Sequence, residues 1–244
     1  MDRVDEVIVR AKEFLKKAKR DAAHDLEHHT DVWENCQRII KHEQLKVDMD
    51  LLKISTYWHD VVVGEQKWPS KIMVEDTCQL LARILPVHGF SENEIYIITE
   101  TVRHHEFRDT PTTHEGLILQ DADKLDTLSQ KRWERTIQAF KKGEMKEETF
   151  LLYSRTFFKW VPILSATFHF RYSRQSADKS VQMFWGDKEY RELIESLGLI
   201  TEYRKAKVDM NTGKTKITRI FIRLHSLWTK VRINTHQRFK YANL

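Results

Sequence analysis

The stretch Thr56-Tyr57-Trp58-His59-Asp60-Val61 places a histidine and an aspartate side by side at the end of an apolar helix. This helix is expected to begin after Asp48, a residue type that caps helix N-termini, and its apolar residues include Leu51, Leu52 and Ile54. An imidazole and a carboxylate are costly to remove from water, and the cost falls when both bind one cation. The doublet therefore predicts either a metal site or a structural His-Asp pair.

Two other stretches carry groups of the same kind. An earlier segment reads His24-Asp25-Leu26-Glu27-His28, and a later helix carries Asp121-Ala122-Asp123-Lys124-Leu125-Asp126. His28 lies one turn before Val32 on the apolar side of its helix, so we expect it to face inward. We expect the next residue, His29, to face solvent.

Within Asp121-Ala122-Asp123 only one of the two carboxylates can face a metal ion, because residues two apart on a helix diverge. The apolar residues around Asp121 and Asp123 do not separate the two. Two imidazoles with two carboxylates form a site of mixed hardness that suits Mn, Fe, Co, Ni or Mg. Such a site can leave coordination positions open for water and a phosphate oxygen. We expect it to hold one divalent metal ion.

The order His, His-Asp, Asp, with each member on an apolar helix, resembles the HD-domain metal-dependent phosphohydrolases. The resemblance runs roughly from Ala23 to Leu128 and continues more weakly from Arg171 to Glu195. The motifs are similar to those of a bacterial subgroup: His-Asp-x-x-His, His-Asp-Val-Val, a histidine after the fourth helix, and Asp-Ala-Asp-x-Leu-Asp. The resemblance implies an all-α fold, an HD-domain helical bundle.

The resemblance also implies roles for individual residues. It implies four metal ligands: His28, His59, Asp60 and Asp123. His105 is similar to the additional active-site histidine of the subgroup, although a histidine at a helix end is also commonly solvated. The implied reaction is attack of metal-activated water on phosphorus, with Asp60 or Asp121 accepting the proton of the water and His105 assisting the leaving group.

The absence of motifs found in related families narrows the range of possible substrate classes. The chain lacks the Glu-Asp pair of guanosine-polyphosphate hydrolases and the Gly-Tyr-Pro motif of cyclic-dinucleotide phosphodiesterases, both of which belong to related families. The resemblance then implies a nucleotide or another phosphorylated small molecule as substrate. Lys124, Arg108 and Lys67 are candidates for binding its phosphates through charge-assisted hydrogen bonds.

Charge is unevenly distributed along the chain. The net charge is +5, but residues 202–244 hold 11 Lys/Arg against 2 acidic residues, which leaves the rest at −4. We therefore expect an HD-type domain over residues 1–201 and a basic extension over 202–244. Within the extension we expect a short β-hairpin with arms at residues 205–210 and 214–223 and a turn at 211–213. The extension could bind nucleic acid, with the HD domain as nuclease or scaffold, or it could pack across the acidic body.

The remaining composition favours a cytoplasmic protein. The two cysteines, Cys36 and Cys78, are typical of reduced buried thiols and not of a disulfide framework. The first twenty residues alternate charged and apolar side chains, unlike a signal peptide. No apolar run approaches the roughly 20 residues that a membrane-spanning helix needs, so we expect no membrane association.

Overall fold

The computed structural model describes residues 2–17, 25–62, 71–164 and 167–211, and within these ranges it contains eleven helices and no strand. This confirms the all-α prediction. None of the described helices is long and apolar enough to cross a membrane. In chain order, the helices are α1 Arg3–Lys17, α2 Leu26–Glu43, α3 Met49–Trp58, α4 Lys71–Val87, α5 Glu92–Arg103, α6 His114–Thr127, α7 Gln130–Lys141, α8 Glu147–Leu164, α9 Arg171–Gly186, α10 Lys188–Ser196 and α11 Ile200–Asn211.

The chain divides within α6 into two compact units, one ending at Asp123 and the other beginning at Lys124. In the first unit, α3 packs against α1, α2 and α5, and α4 packs against α5. In the second unit, α8 packs against α7 and α11, while α7 also contacts α9 and α10 contacts α11. All the predicted metal ligands belong to the first unit.

Helix α3 lies at the centre of the first unit because its sequence is apolar on nearly every side. Leu52, Ile54 and Trp58 are all fully buried. The indole Nε1–H of Trp58 donates a hydrogen bond to the carbonyl oxygen of Val7 in α1, at 3.1 Å. This bond anchors the last turn of α3, which immediately precedes the His-Asp doublet.

Local capping explains where three helices begin. Asp48 caps α3 as predicted, since its carboxylate accepts hydrogen bonds from the backbone N–H groups of Asp50 and Leu51. Asp25 caps α2 in the same way, and it accepts from the backbone N–H of His28 at 2.8 Å. Helix α5 begins with a capping box between Ser91 and Glu94. Because these caps are local, each helix start can be read from sequence.

An aromatic cluster forms the core of the second unit. The ring centroids of Trp133 and Phe157 are 4.4 Å apart, and those of Phe184 and Tyr190 are also 4.4 Å apart. Such edge-on and tilted contacts are favourable for aromatic pairs. The buried carboxylate of Asp126 accepts a hydrogen bond from Arg132 at 3.0 Å, which joins the end of α6 to α7.

The predicted C-terminal hairpin is wrong in its first arm. Residues 205–210 lie in α11, which runs without a break across the predicted domain boundary between residues 201 and 202. Leu199, Tyr203 and Ala206 are buried at steps of four and three residues, so helical periodicity outweighs the imperfect alternation on which the hairpin prediction was based. The second arm and the rest of the basic extension, residues 212–244, lie outside the described residues.

Candidate metal centre

The end of α3 delivers two polar groups into a buried setting. Helix α3 ends at Trp58, His59 is its C-cap, and Asp60 follows in the turn. His59 is fully buried, and Asp60 is 6 % exposed. Nδ1–H of His59 donates to the carbonyl oxygen of Thr56 at 2.7 Å, so in the neutral ring the lone pair lies on Nε2. This fixes the orientation in which the imidazole can act as a ligand.

His28 meets His59 from α2. Its Nε2 lies 3.2 Å from Nε2 of His59. Two facing ring nitrogens need either a proton or a cation between them, because two lone pairs at that distance repel. The prediction that His28 faces inward agrees with its burial, since it is only 1 % exposed.

Carboxylate oxygens flank this pair of nitrogens on both sides. Oδ2 of Asp60 lies 3.6 Å from Nε2 of His59, and Oδ1 of Asp123 lies 3.6 Å from Nε2 of His28. The donor atoms of His28, His59 and Asp60 all lie within 4.8 Å of one another. These three side chains could hold a divalent metal ion, and Asp123 is the next carboxylate beside them.

Helix α6 supplies both aspartates of the second acidic motif. Asp121 is fully buried, whereas the side chain of Asp123 is 24 % exposed and contacts His28. The amide of Asn35 in α2 donates to the carbonyl oxygen of Ala122 at 3.2 Å, which ties α6 to the helix that carries His28. The choice of Asp123 as ligand and of Asp121 as catalytic residue remains a prediction from the resemblance, and the contact to His28 favours it.

His105, which follows the end of α5, contacts Asp60. It is 3 % exposed, its Nδ1–H donates to the carbonyl oxygen of Val102 at 2.7 Å, and its Nε2 lies 3.4 Å from Oδ1 of Asp60. The loop that carries it is held by Gln120, whose amide donates to the backbone carbonyl oxygens of Glu106 and Asp109 at 2.5 and 3.2 Å. His105 therefore lies beside the candidate metal ligands and not at a solvated helix end.

The surroundings of His59 and His105 shift their pKa values in opposite directions. Burial lowers the pKa of His59, and the charge of Asp60 only partly opposes this effect. Burial also lowers the pKa of His105, but there the hydrogen bond and charge of Asp60 outweigh it and raise the pKa to about 9. Without a cation, His105 is thus the protonated partner of Asp60, while His59 keeps a neutral ring that is suitable for metal binding.

His29 is the residue that the sequence prediction placed wrongly. It is fully buried, and burial followed by the neighbouring His59 and His28 holds its pKa well below the ordinary value. Its ring centroid lies 5.1 Å from that of His28 and 4.6 Å from that of His59. A signal was present, because His29 precedes the buried residue Cys36 by seven positions and so shares its helix face.

Two of the predicted phosphate-binding residues, Lys124 and Arg108, lie in the described part of the chain and have different surroundings. Lys124 is buried in the second unit, where its amine donates to the carbonyl oxygen of Thr167 at 2.8 Å and lies over the ring of Phe168. Arg108 is exposed, and its guanidinium lies 3.7 Å from a carboxylate oxygen of Glu106. Lys67 lies outside the described residues. The contacts of Lys124 give it a packing role, while Arg108 can reach solvent.

Comparison with known proteins identifies the region that holds these residues. Residues 25–128 match the family model described as the HD domain. None of the curated proteins matches this chain in sequence. The match encloses all four predicted metal ligands, and also His29 and His105.

Three solved structures are similar to the chain in fold. A predicted HD superfamily hydrolase from an uncultured Thermotogales bacterium is 23% identical, with 80% of this chain and 93% of that chain covered and a TM-score of 0.56. Bacillus subtilis YpgQ, solved in complex with ADP, is 18% identical over 80% of this chain and 94% of its own, with a TM-score of 0.55. A Lactobacillus plantarum protein is 18% identical over 74% and 91%, with a TM-score of 0.55. These similarities show a shared fold.

Proposed function

Residues 25–128 of the chain are an HD domain, and from this premise we propose that the protein is a metal-dependent phosphohydrolase that acts on a nucleotide or a related phosphate ester or anhydride. The HD domain and the fold shared with HD superfamily hydrolases support a metal-dependent hydrolase. The observation that carries the proposal is the 3.2 Å approach of Nε2 of His28 to Nε2 of His59, with a carboxylate beside each ring.

The chemistry of these side chains fits a divalent cation. Nδ1–H of His59 is already used by a backbone carbonyl, so its Nε2 is free to be a ligand in the neutral ring. The carboxylates of Asp60 and Asp123 supply the negative charge that a buried divalent cation requires. Two nitrogen and two oxygen donors suit Mn, Fe, Co, Ni or Mg, and we propose His28, His59, Asp60 and Asp123 as the ligands.

When bound, a divalent cation supplies activation of water and neutralisation of charge on the phosphoryl group. The protein contributes the groups around it. Oδ2 of Asp60 lies 3.6 Å from Nε2 of His59 and Oδ1 lies 3.4 Å from Nε2 of His105, and the carboxylate of Asp60 would accept a proton from water. A protonated His105 is placed to donate a hydrogen bond to a phosphate oxygen or to protonate a leaving group. Asp121, fully buried, would support this arrangement from α6.

A nucleotide is the proposed substrate class. The structurally similar YpgQ was solved in complex with ADP, which supports a nucleotide ligand here. Arg108 is the exposed cation nearest in sequence to His105, and we propose that it contacts a phosphate together with Lys67.

The proposal is tested by metal analysis joined to hydrolysis of a nucleotide panel. We expect the purified protein to contain a divalent metal and to release phosphate or pyrophosphate from at least one nucleoside triphosphate. His59→Ala and Asp60→Ala should each lose both the metal and the activity while the far-ultraviolet helical signal persists. The exposed residue His42 provides the control, and His42→Ala should behave like the unsubstituted protein. Full metal content in both site variants would refute the proposal.

A further inference from the structure

The imidazole of His29 is fully buried, but the mechanism above gives it no role. Its Nδ1–H donates to the backbone carbonyl oxygen of Asp25 at 2.8 Å, one turn earlier in the chain. Nε2 lies on the other edge of the ring. It is buried and has no hydrogen-bond partner among the residues that the structure describes.

The neighbours of this ring are the imidazoles of the candidate metal centre. The ring of His29 lies 4.6 Å from that of His59, centroid to centroid, with 40° between their planes. It lies 5.1 Å from the ring of His28, at 77°. His29 does not, however, belong to the group whose donor atoms all lie within 4.8 Å of one another, which comprises His28, His59 and Asp60. Asp123 is also outside that group, but its Oδ1 lies 3.6 Å from Nε2 of His28, whereas Nε2 of His29 has no hydrogen-bond partner among the described residues. His29 is therefore beside the candidate cation position without being among the proposed ligands.

A buried nitrogen without a partner is unfavourable whichever way the ring is protonated. Leaving such a group unsatisfied destabilises the folded state, and an apolar side chain at a buried helix position would avoid that cost. An ordered water molecule satisfies buried polar atoms when it has two or more polar partners. A cation site provides such partners, because divalent ions with few protein ligands complete their coordination with water.

We propose that Nε2 of His29 accepts a hydrogen bond from a water molecule held between it and the metal ion, so that His29 tunes the affinity of the site for the ion. This rests on the metal centre proposed above. It makes His29 a positioning residue for that water and not a direct metal ligand. A core histidine with no link to the metal is the competing role, and metal binding separates the two.

The test measures Mn²⁺ binding to the full chain by electron paramagnetic resonance, with Mn²⁺ alone as the probe. His29→Asn is informative because the asparagine amide can still donate to the carbonyl oxygen of Asp25 while nothing replaces Nε2. We expect it to weaken Mn²⁺ binding about 10- to 100-fold, the usual effect of removing a group that supports metal ligands indirectly. His29→Gln, whose amide can reach the position of Nε2, should recover part of the affinity.

Matched variants make the result decisive. His42→Asn, an exposed change on the same helix, should bind Mn²⁺ like the unsubstituted protein. Pulsed measurements on bound Mn²⁺ should show the same imidazole nitrogens with and without His29. Unchanged affinity in a folded His29→Asn protein would overturn the inference, as would an imidazole signal that disappears in that variant, since it would make His29 a direct ligand.

Two further results keep the test from being ambiguous. If His29→Asn does not fold, His29→Phe keeps an aromatic ring at this position but lacks both nitrogens. The same measurement of Mn²⁺ binding on His29→Phe then tests the inference. His28→Asn should abolish tight Mn²⁺ binding. If His28→Asn retains it, the metal centre itself is wrong, whereas retention in His29→Asn alone rejects only the role of His29.

Discussion

Oδ1 of Asp60 lies 3.4 Å from Nε2 of His105, and this contact joins the end of α3 to the loop that follows α5. The other oxygen of the same carboxylate faces His59 at 3.6 Å. Asp60 is thus shared between a candidate metal ligand and a candidate proton donor. Binding of a cation and protonation of His105 both draw on the negative charge of Asp60, so the two events oppose each other.

The first prediction concerns pH and the stability of the metal-free protein. The folded-state pKa of His105 is about 9, against an ordinary value of 6.5, because the charge of Asp60 outweighs the effect of burial. A raised pKa stabilises the folded state fully below pH 6.5, and this stabilisation is lost as the pH rises through 9. The free energy of unfolding should fall by on the order of 3 kcal/mol over this pH range. Denaturant unfolding in the presence of a chelator, repeated from pH 6.5 to above 9, measures it.

Matched variants assign that pH dependence to one histidine. His105→Gln should flatten the stability profile over this window, whereas His104→Gln, at the more exposed neighbouring position, should keep it. Saturating metal should also flatten the profile, because a cation bound to Asp60 offsets the negative charge that raises the pKa of His105. A profile that is equally steep in His105→Gln would show that another group is responsible.

The second prediction separates the two aspartates of α6. Asp123→Asn should remove bound metal, because its carboxylate is the one that contacts His28. Asp121→Asn should leave the metal in place and slow hydrolysis by about 10- to 100-fold, as changes to supporting residues do. Elemental analysis and steady-state kinetics on both variants measure this. The reverse pattern would mean that the acidic motif has been assigned two residues out of register.

The third prediction concerns Gln120, which positions the loop of His105. Gln120→Leu leaves two backbone carbonyl oxygens without their donor, those of Glu106 and Asp109, so the loop should loosen. We expect kcat to fall by about 10- to 100-fold, since small displacements of a catalytic group have large effects on rate. Metal content should not change. Gln130→Leu, at an exposed position, is the control, and loss of metal in Gln120→Leu would contradict the assignment.

The fourth prediction is one tightly bound ion per chain. A second ion would need further ligands, and two histidines that lie between Asp60 and Asp123 in sequence, His88 and His104, already contact other carboxylates. Nδ1 of His88 lies 3.0 Å from a carboxylate oxygen of Glu6, and Nε2 of His104 lies 3.5 Å from one of Glu100. Elemental analysis against protein concentration should give a ratio near one, with no change in His88→Ala. Two ions, falling to one in that variant, would indicate a dinuclear site.

Much of the site was predictable because its signals are local. The cap at Asp48 and the apolar run that follows it determine where α3 begins and which residues it buries. The helical position of His28 relative to Val32 was enough to predict that it faces inward. The pairing of α2 with α3 then brings His28 to His59. Short-range rules of this kind depend little on the rest of the fold.

The wrong predictions depended on packing that the sequence shows only weakly. The polarity of His29 favoured exposure, but α2 packs against α3 and brings its ring to 4.6 Å from that of His59. The sequence left open whether His105 lies at a solvated helix end, and its burial depends on a loop after Arg103 that Gln120 fixes from a different helix. The strand predicted at residues 205–210 is helical because Tyr203 and Ala206 pack into the second unit.

The hydrogen bond from Trp58 to Val7 links the turn that precedes the His-Asp doublet to a helix outside the HD match. The HD match begins at residue 25, but the indole next to His59 is anchored on α1, which ends at Lys17. Trimming the protein to the matched segment would therefore remove a support of the ligand-bearing turn while leaving every proposed ligand in the chain. The shortest polypeptide able to retain metal tightly should include the first helix as well.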